Sequence, residues 1–235
     1  MKMVLFDLDG TLLSMDQEYF TKRYFGLMTQ KMAKYGYEPE RLISMIWKGC
    51  EAMAENDGTC LNEECFWKVF DTVFPGRYDS DYPLFEEFYE NEFQMAKDTC
   101  TIVQGAKEVI QLCKELGLRV SLATNPVFPA TATKSRIHWA GFSEEDFELV
   151  TTYENSHSCK PNLNFYQEIC EKLNVRPEEC LMVGNDVDED MIAKQLGMEV
   201  FLLTNDLINR HHKDIDVYPH GNMMDLKEFL INIQK

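Results

Sequence analysis

The chain opens on a short apolar run, Met3 to Leu8, of the length expected for a buried strand. After Ser14 the rhythm changes. Phe20, Tyr24, Leu27, Met28, Met32 and Tyr35 recur at three- and four-residue steps, which places them on one face of a helix. Pro39 suits the first turn of a second helix, and Leu42, Ile43, Ile46, Trp47 and Cys50 continue at the same spacing. A third helix is predicted around Glu63–Phe70, before a Pro75-Gly76 break. Leu84, Phe85, Phe88, Tyr89, Phe93 and Ala96 give a fourth.

From about Thr101 helix and strand alternate. Gly105–Leu116 reads as a helix stopped by Gly117, Leu118–Thr124 as a buried strand and Pro161–Leu173 as a helix. Cys180–Val183 reads as a strand, Asp190–Leu196 as a helix stopped by Gly197, and Glu199–Leu203 as a strand. Such alternation implies a parallel sheet with right-handed crossovers. Only one strand precedes the helical stretch. Residues 15–100 are therefore expected to be an insertion, with residues 1–14 and 101–235 forming the sheet domain. There is no internal repeat and no low-complexity segment.

Composition narrows the function classes. The 235 residues are 45% hydrophobic and 12% aromatic, enough for a packed core. Forty Asp and Glu against 23 Lys and Arg give a net charge of −17. The acids are spread along the chain rather than gathered in a tail. An acidic surface repels nucleic-acid phosphates and anionic lipid, so neither is expected as a partner. No apolar stretch approaches the roughly 18 residues of a membrane span. Acids arrive too early at the N-terminus for the apolar region of a signal peptide. The eight cysteines show no CxxC pair, and Cys113 and Cys170 sit inside apolar helical patterns. Reduced thiols in a cytoplasmic protein are the expectation; a reactive Cys159 beside Lys160 is the less favoured alternative.

Four short segments carry candidate chemistry. In Asp7-Leu8-Asp9-Gly10-Thr11, strand alternation puts both carboxylates on one side, where a divalent cation would supply the counter-charge; the competing reading is a tight Asp-Gly hairpin. Leu122-Ala123-Thr124-Asn125-Pro126 offers a hydroxyl, an amide and free N–H groups at a strand end, suited to an anion or to an ordinary turn. Lys160, before Pro161 at a helix entrance, suits a phosphate or a solvated surface. Val183-Gly184-Asn185-Asp186-Val187-Asp188-Glu189-Asp190 places four acids in five positions, suited to Mg²⁺ or to capping a helix.

In this order and with these residue types, the four segments resemble the haloacid dehalogenase superfamily, from Met3 to about Leu203, and DLDGT is the most specific of them. The resemblance implies an α/β fold, a Rossmann-like parallel sheet core flanked by helices, with an all-helical cap inserted after the first motif. It also implies a phosphatase, hydrolysing a small phosphorylated metabolite with Mg²⁺. Asp7 would be the nucleophile that forms an aspartyl-phosphate, and Asp9 the general acid and then base. Thr124 and Asn125 would hold phosphoryl oxygens, and Lys160 would offset charge. The metal would bind Asp7, the Asp9 carbonyl and an acid of the fourth motif. Many members have Gly-Asp in that motif where this chain has Gly184-Asn185. Asp186 is the expected ligand and Asp190 a second or outer-shell one, with Asp188 left open. Dehalogenases of the superfamily have an aromatic at the position of Asp9, so a phosphatase is favoured over a dehalogenase. A phosphosugar mutase and a non-catalytic regulatory protein remain as alternatives. The aromatics Trp47, Phe66, Trp67, Phe70 and Phe74 are read as core of the inserted segment, Lys22, Arg23 and Arg41 as solvated, and His211-His212 as surface loop. Substrate and oligomeric state are not given by the sequence.

Overall fold

A computed structural model describes residues 1–233. Strand β1 (Met3–Phe6) lies in the middle of a five-stranded parallel sheet with β4 (Arg119–Leu122) on one side and β5 (Cys180–Gly184) on the other. Beyond β5 follow β6 (Glu199–Leu203) and the two-residue β7 (His220–Gly221). All four residues of β1 are buried. Alternation sends Val4 and Phe6 into one apolar cluster and Met3 and Leu5 into the other, so both faces of the sheet are covered, as parallel sheets require. Helices α5 (Ala106–Glu115) and α8 (Met223–Ile233) supply Val109, Ile110, Cys113, Leu226 and Leu230 to the first cluster. Helix α7 (Leu163–Leu173) supplies Phe165, Tyr166, Ile169 and Leu173 to the second. Each such side chain contributes roughly 1.5–3 kcal/mol by leaving water.

Between β2 (Leu13–Met15) and β3 (Cys100–Ile102) the chain is helical: α1 (Gln17–Ala33), α2 (Pro39–Ala54), α3 (Asn62–Val73), α4 (Tyr78–Glu90) and a 3₁₀ turn over Glu92–Thr99. Asp16 caps α1 by accepting the Tyr19 N–H, and Glu38 caps α2 with Pro39 in its first turn. The buried face of α1 follows the expected spacing through Phe20, Tyr24, Leu27, Met28 and Met32, but Tyr35 lies exposed beyond its end. Helix α2 buries Leu42 and Ile46 as expected, with Met45, Gly49 and Met53 in place of Ile43, Trp47 and Cys50.

The structure differs from the sequence reading in several places. Residues 84–96, expected as one helix, are divided between α4 and the 3₁₀ turn, and the helices Ala130–Trp139 and Met223–Ile233 were not anticipated. Strands β2 and β3 pair antiparallel, Leu13 with Ile102 and Met15 with Cys100, forming a two-stranded ribbon where helix was expected to begin at once. Strand β4 stops at Leu122, so Thr124 and Asn125 lie in the loop beyond it. The segment after Asp190 is a 3₁₀ helix, Met191–Leu196, rather than an α-helix. Among the described residues no helix is long and apolar enough to cross a membrane.

Candidate functional site

Because β4, β1 and β5 are adjacent and parallel, their C-terminal ends open on one edge of the sheet. That is where ligands of open α/β sheets are held. Asp7 follows β1 directly, and Gly184 ends β5. Lys160 reaches into the same place from the loop before α7, joined to Pro161 by a cis peptide. Its Nζ donates to Asp7 Oδ1 at 2.8 Å and to Asp190 Oδ1 at 2.6 Å. The second Asp190 oxygen accepts the Asp186 N–H at 2.9 Å. Asn125 ties the loops together: its Oδ1 accepts the Lys160 backbone N–H at 3.2 Å, and its Nδ2 donates to Glu189 Oε2 at 3.1 Å. Thr124 is buried and its carbonyl accepts the Thr151 hydroxyl at 2.6 Å. Gly10 has φ +83°, and a Cβ there would come within 2.8 Å of Asn185 Cγ, so the turn after Asp9 admits only glycine. Thr11 Oγ1 donates to Asn185 Oδ1 at 3.2 Å, closing the first motif onto the fourth.

The electrostatics follow from burial. Desolvation pushes the Asp7 carboxyl up, against the pull of Lys160. Burial likewise raises Asp9, against Arg136, and raises Glu189. Asp190 is pushed up to about 6 by burial, with Lys160 opposing. Burial works against the charge on Lys160 too, yet Asp190 and Asp7 together hold its ammonium well above its ordinary range. Four carboxylates, Asp7, Asp9, Glu189 and Asp190, thus face two cations, Lys160 and Arg136, and the site is short of positive charge.

Arg136 is the residue that sequence reasoning missed. It is 1% exposed on α6 (Ala130–Trp139) and pairs with Asp9 Oδ2. Its NH2 donates to Thr133 Oγ1 at 3.2 Å, and its guanidinium lies 4.4 Å from the centre of the Phe128 ring. Ala132, Arg136 and Trp139 recur at helical spacing and all are buried; a cation within that apolar stripe was the available signal. Asp9 Oδ1 has no hydrogen-bond partner although it is buried. Asp9 also lines a cavity of about 200 Å³, with residues of α1, α2, α3 and α4 and of the loop after β4.

The other predicted residues separate. Asp186 turns away from Lys160: its Oδ1 accepts the Asp188 and Glu189 N–H groups and its Oδ2 pairs with Arg210 at 2.6 Å. Asp188 pairs with Lys213. Of the acidic cluster, Asp190 is the carboxylate brought to Asp7, while Asp186 shapes the turn. The Cys159 thiol is buried and pushed up to about 12 by desolvation, the opposite of a reactive thiolate. Trp67, Phe70 and Phe74 are buried as expected, but Trp47 is 54% exposed and lines the cavity beside Asp9 together with the half-buried Phe66. His211 and His212 are exposed.

Among the described residues no group of three or more His, Cys, Asp and Glu side chains encloses a metal ion by itself. Mg²⁺ does not need such a cage, since it takes one or two carboxylates and completes its shell with water and phosphate oxygens. Two hard carboxylates at the strand ends, in a site with an excess of buried negative charge, fit that requirement.

A family model described as haloacid dehalogenase-like hydrolase matches residues 1–197. A phosphoglycolate phosphatase of Nitrosospira multiformis is 26% identical over 205 residues, covering 85% of this chain and 82% of the relative. The pyrophosphatase PpaX of Bacillus cereus is 22% identical over 231 residues, 98% of this chain and 94% of that protein. Among solved structures, a HAD phosphatase from Thermococcus onnurineus superposes with a TM-score of 0.58 at 19% identity, over 98% of both chains. A 2-haloacid dehalogenase from Pseudomonas syringae pv. Tomato gives 0.66 at 16% identity, over 99% of both. The structural likenesses establish the fold.

Proposed function

The chain belongs to the haloacid dehalogenase-like hydrolases and is a phosphatase of that family, and we propose that it hydrolyses a small phosphomonoester, with Mg²⁺, through a phosphorylated Asp7. The observation that carries this reading is the chain of contacts Asp7–Lys160–Asp190 at the strand ends, with Asp9 alongside. Asp7 attacks phosphorus; the bond from phosphorus to the alcohol oxygen breaks with its electron pair on oxygen, and Asp9 gives that oxygen a proton. A water then attacks the aspartyl-phosphate, loses its proton to Asp9 and releases inorganic phosphate. Thr124 and Asn125 orient the phosphoryl oxygens, and Lys160 compensates charge on Asp7 and on the phosphoryl group. Arg136 holds one oxygen of Asp9 so that the other faces the leaving group. Asp7, the Asp9 carbonyl and an acid of the fourth motif would hold Mg²⁺: Asp190, which shares Lys160 with Asp7, or Asp186, which would have to release Arg210. The ion would supply positive charge against the transferring phosphoryl oxygens.

The inserted helices, residues 15–100, act in this reading as the cap over the leaving group. Asp9 favours phosphoryl chemistry over dehalogenation, because an alcohol must be protonated as it leaves and a halide need not. The test is phosphate release from a panel of phosphorylated metabolites. Release requiring Mg²⁺, stopped by EDTA and lost by at least a thousandfold in Asp7→Asn is expected. Full activity in Asp7→Asn would end the mechanism. Slow hydrolysis together with fast, bisphosphate-activated isomerisation of a sugar phosphate would make the protein a mutase instead.

A further inference from the structure

The cavity against Asp9 says what kind of leaving group this chain accepts, an inference that rests on the phosphatase reading above. We propose that the substrate is a phosphomonoester of an uncharged, apolar or aromatic alcohol about the size of one substituted ring, and that anionic leaving groups are rejected. Asp9 is the acid that protonates the leaving oxygen, so the leaving group must sit on the side of Asp9 that opens into the cavity. The walls there are Phe20, Tyr24, Phe25, Met28, Trp47 and Phe66, and among the described residues no Lys, Arg or His lines it. Its charged residues are both acids, Asp9 and Glu86, and Glu86 accepts the Thr131 hydroxyl at 3.0 Å. A carboxylate or phosphate here would be desolvated beside the Glu86 carboxyl group with no counter-ion, which is costly at low dielectric.

Several cations of the surrounding helices are committed elsewhere, and Lys22 is exposed. Lys31 pairs with Glu87 and Glu92, Arg77 with Asp81, and Arg23 with Asp98. Arg41 donates to the Val73 carbonyl at 2.5 Å. Arg136 is sealed behind Asp9, Thr133 and Phe128. Lys48 lies in the open groove on the Lys160 side, where Glu40, Glu51 and Glu189 outnumber it. The volume of about 200 Å³ exceeds the dry cavity of about 150 Å³ that holds a benzene, leaving room for a short substituent. The polar groups of the lining besides Asp9 and Glu86 are uncharged, among them Gln17, Thr21, Cys50, Tyr153, and the Tyr24 and Tyr89 hydroxyls, which lie 2.9 Å apart.

The experiment compares kcat/KM for benzyl phosphate, phosphoglycolate and pyrophosphate by phosphate release in Mg²⁺, and calorimetric binding of benzylphosphonate and phosphonoacetate, which are not hydrolysed. Benzyl phosphate is expected to be at least tenfold the better substrate, and benzylphosphonate at least tenfold the tighter ligand. Trp47→Arg, at a half-exposed position on the cavity wall, should reduce both ratios tenfold by adding the missing cation. Equal or faster turnover of phosphoglycolate or pyrophosphate would overturn the assignment while leaving the hydrolase reading intact. Selective binding of benzylphosphonate without hydrolysis of any phosphoester would do the reverse. Equal or absent binding of the two phosphonates would also overturn it.

Discussion

Gly184→Ala is the sharpest test of the Asp190 contacts. Gly184 ends β5 and does not have a positive φ, so alanine meets no backbone strain there. Its Cβ would, however, lie within 2.7 Å of Asp190 Cβ and closer still to the carboxyl. That carboxylate cannot swing aside freely, because one oxygen is 2.6 Å from Lys160 Nζ and the other 2.9 Å from the Asp186 N–H. Losing one charge-assisted hydrogen bond costs about 1.5–3 kcal/mol, and overpacking adds about 1–3 kcal/mol before relaxation. A net loss of about 3 kcal/mol is expected, read as a fall in Tm of roughly 6–12 °C for a chain of this size. Displacing Asp190 by about 1 Å also moves Lys160 off Asp7, which should cost on the order of a hundredfold in kcat/KM. Denaturant unfolding and phosphate release measure the two effects separately. Asp190→Gly combined with Gly184→Ala removes the clash, so the pair should be more stable than the sum of the single changes by about 1–2 kcal/mol, without regaining activity. A Gly184→Ala protein with wild-type stability and turnover would refute the geometry.

Two further changes probe buried charge. Arg136→Met keeps the volume but leaves both Asp9 oxygens unpartnered, and breaking a buried pair costs about 3–5 kcal/mol. Burial already raises the Asp9 carboxyl, and a raised carboxylate is penalised once pH exceeds its folded value, so denaturation should show a larger loss at pH 8 than at pH 5. An equal loss at both would argue against an uncompensated carboxylate. In the inserted helices, Asp81 is buried and accepts from the Tyr37 hydroxyl at 2.6 Å beside Arg77. Desolvation opposes its charge, but Ser80, Tyr37 and Arg77 outweigh that and hold the carboxyl below its usual range. Its stabilisation is full above the unfolded value near pH 4 and is lost as pH falls through the lower folded value. Asp81→Asn should therefore lower stability by about 1 kcal/mol at pH 7 and flatten the acid limb, followed by fluorescence of Trp67, which packs against Tyr82 and Phe85.

Much of this was legible in the chain because strand ends carry position. The apolar run before Asp7 and that before Gly184 had to be buried strands, and parallel neighbours bring their ends to one edge. Periodicity likewise marked the buried face of α1 from Phe20 to Met32, and only part of that of α2. What remained hidden was direction. The acidic cluster offered four carboxylates, and only the tight turn at Asp186, with its two N–H bonds and Arg210, shows that Asp190 is the one aimed at Lys160. Helix α6 is buried around most of its circumference, so its amphipathic contrast is weak, and the place of Arg136 between Ala132 and Trp139 was the one signal it offered. The ribbon of β2 and β3 is three residues per strand, too short for alternation to announce it. Trp47 looked like core by spacing, yet spacing on α2 cannot say whether a face meets another helix or an open cavity.

The position of β1 also sets a clock. The first strand made is a middle strand of the sheet, and Val4 pairs with Val120 and with Leu181, 177 positions further on. At about 5–20 residues per second, a ribosome needs roughly 10–35 s to supply that last partner. Until Val120 is made, the buried sequence Met3–Phe6 has no partner on either edge, and until Leu181 is made it lacks one, while helices α1 to α4 can assemble. The nascent chain is therefore most prone to aggregate before β5 completes the middle of the sheet, and slower synthesis would lengthen that exposure.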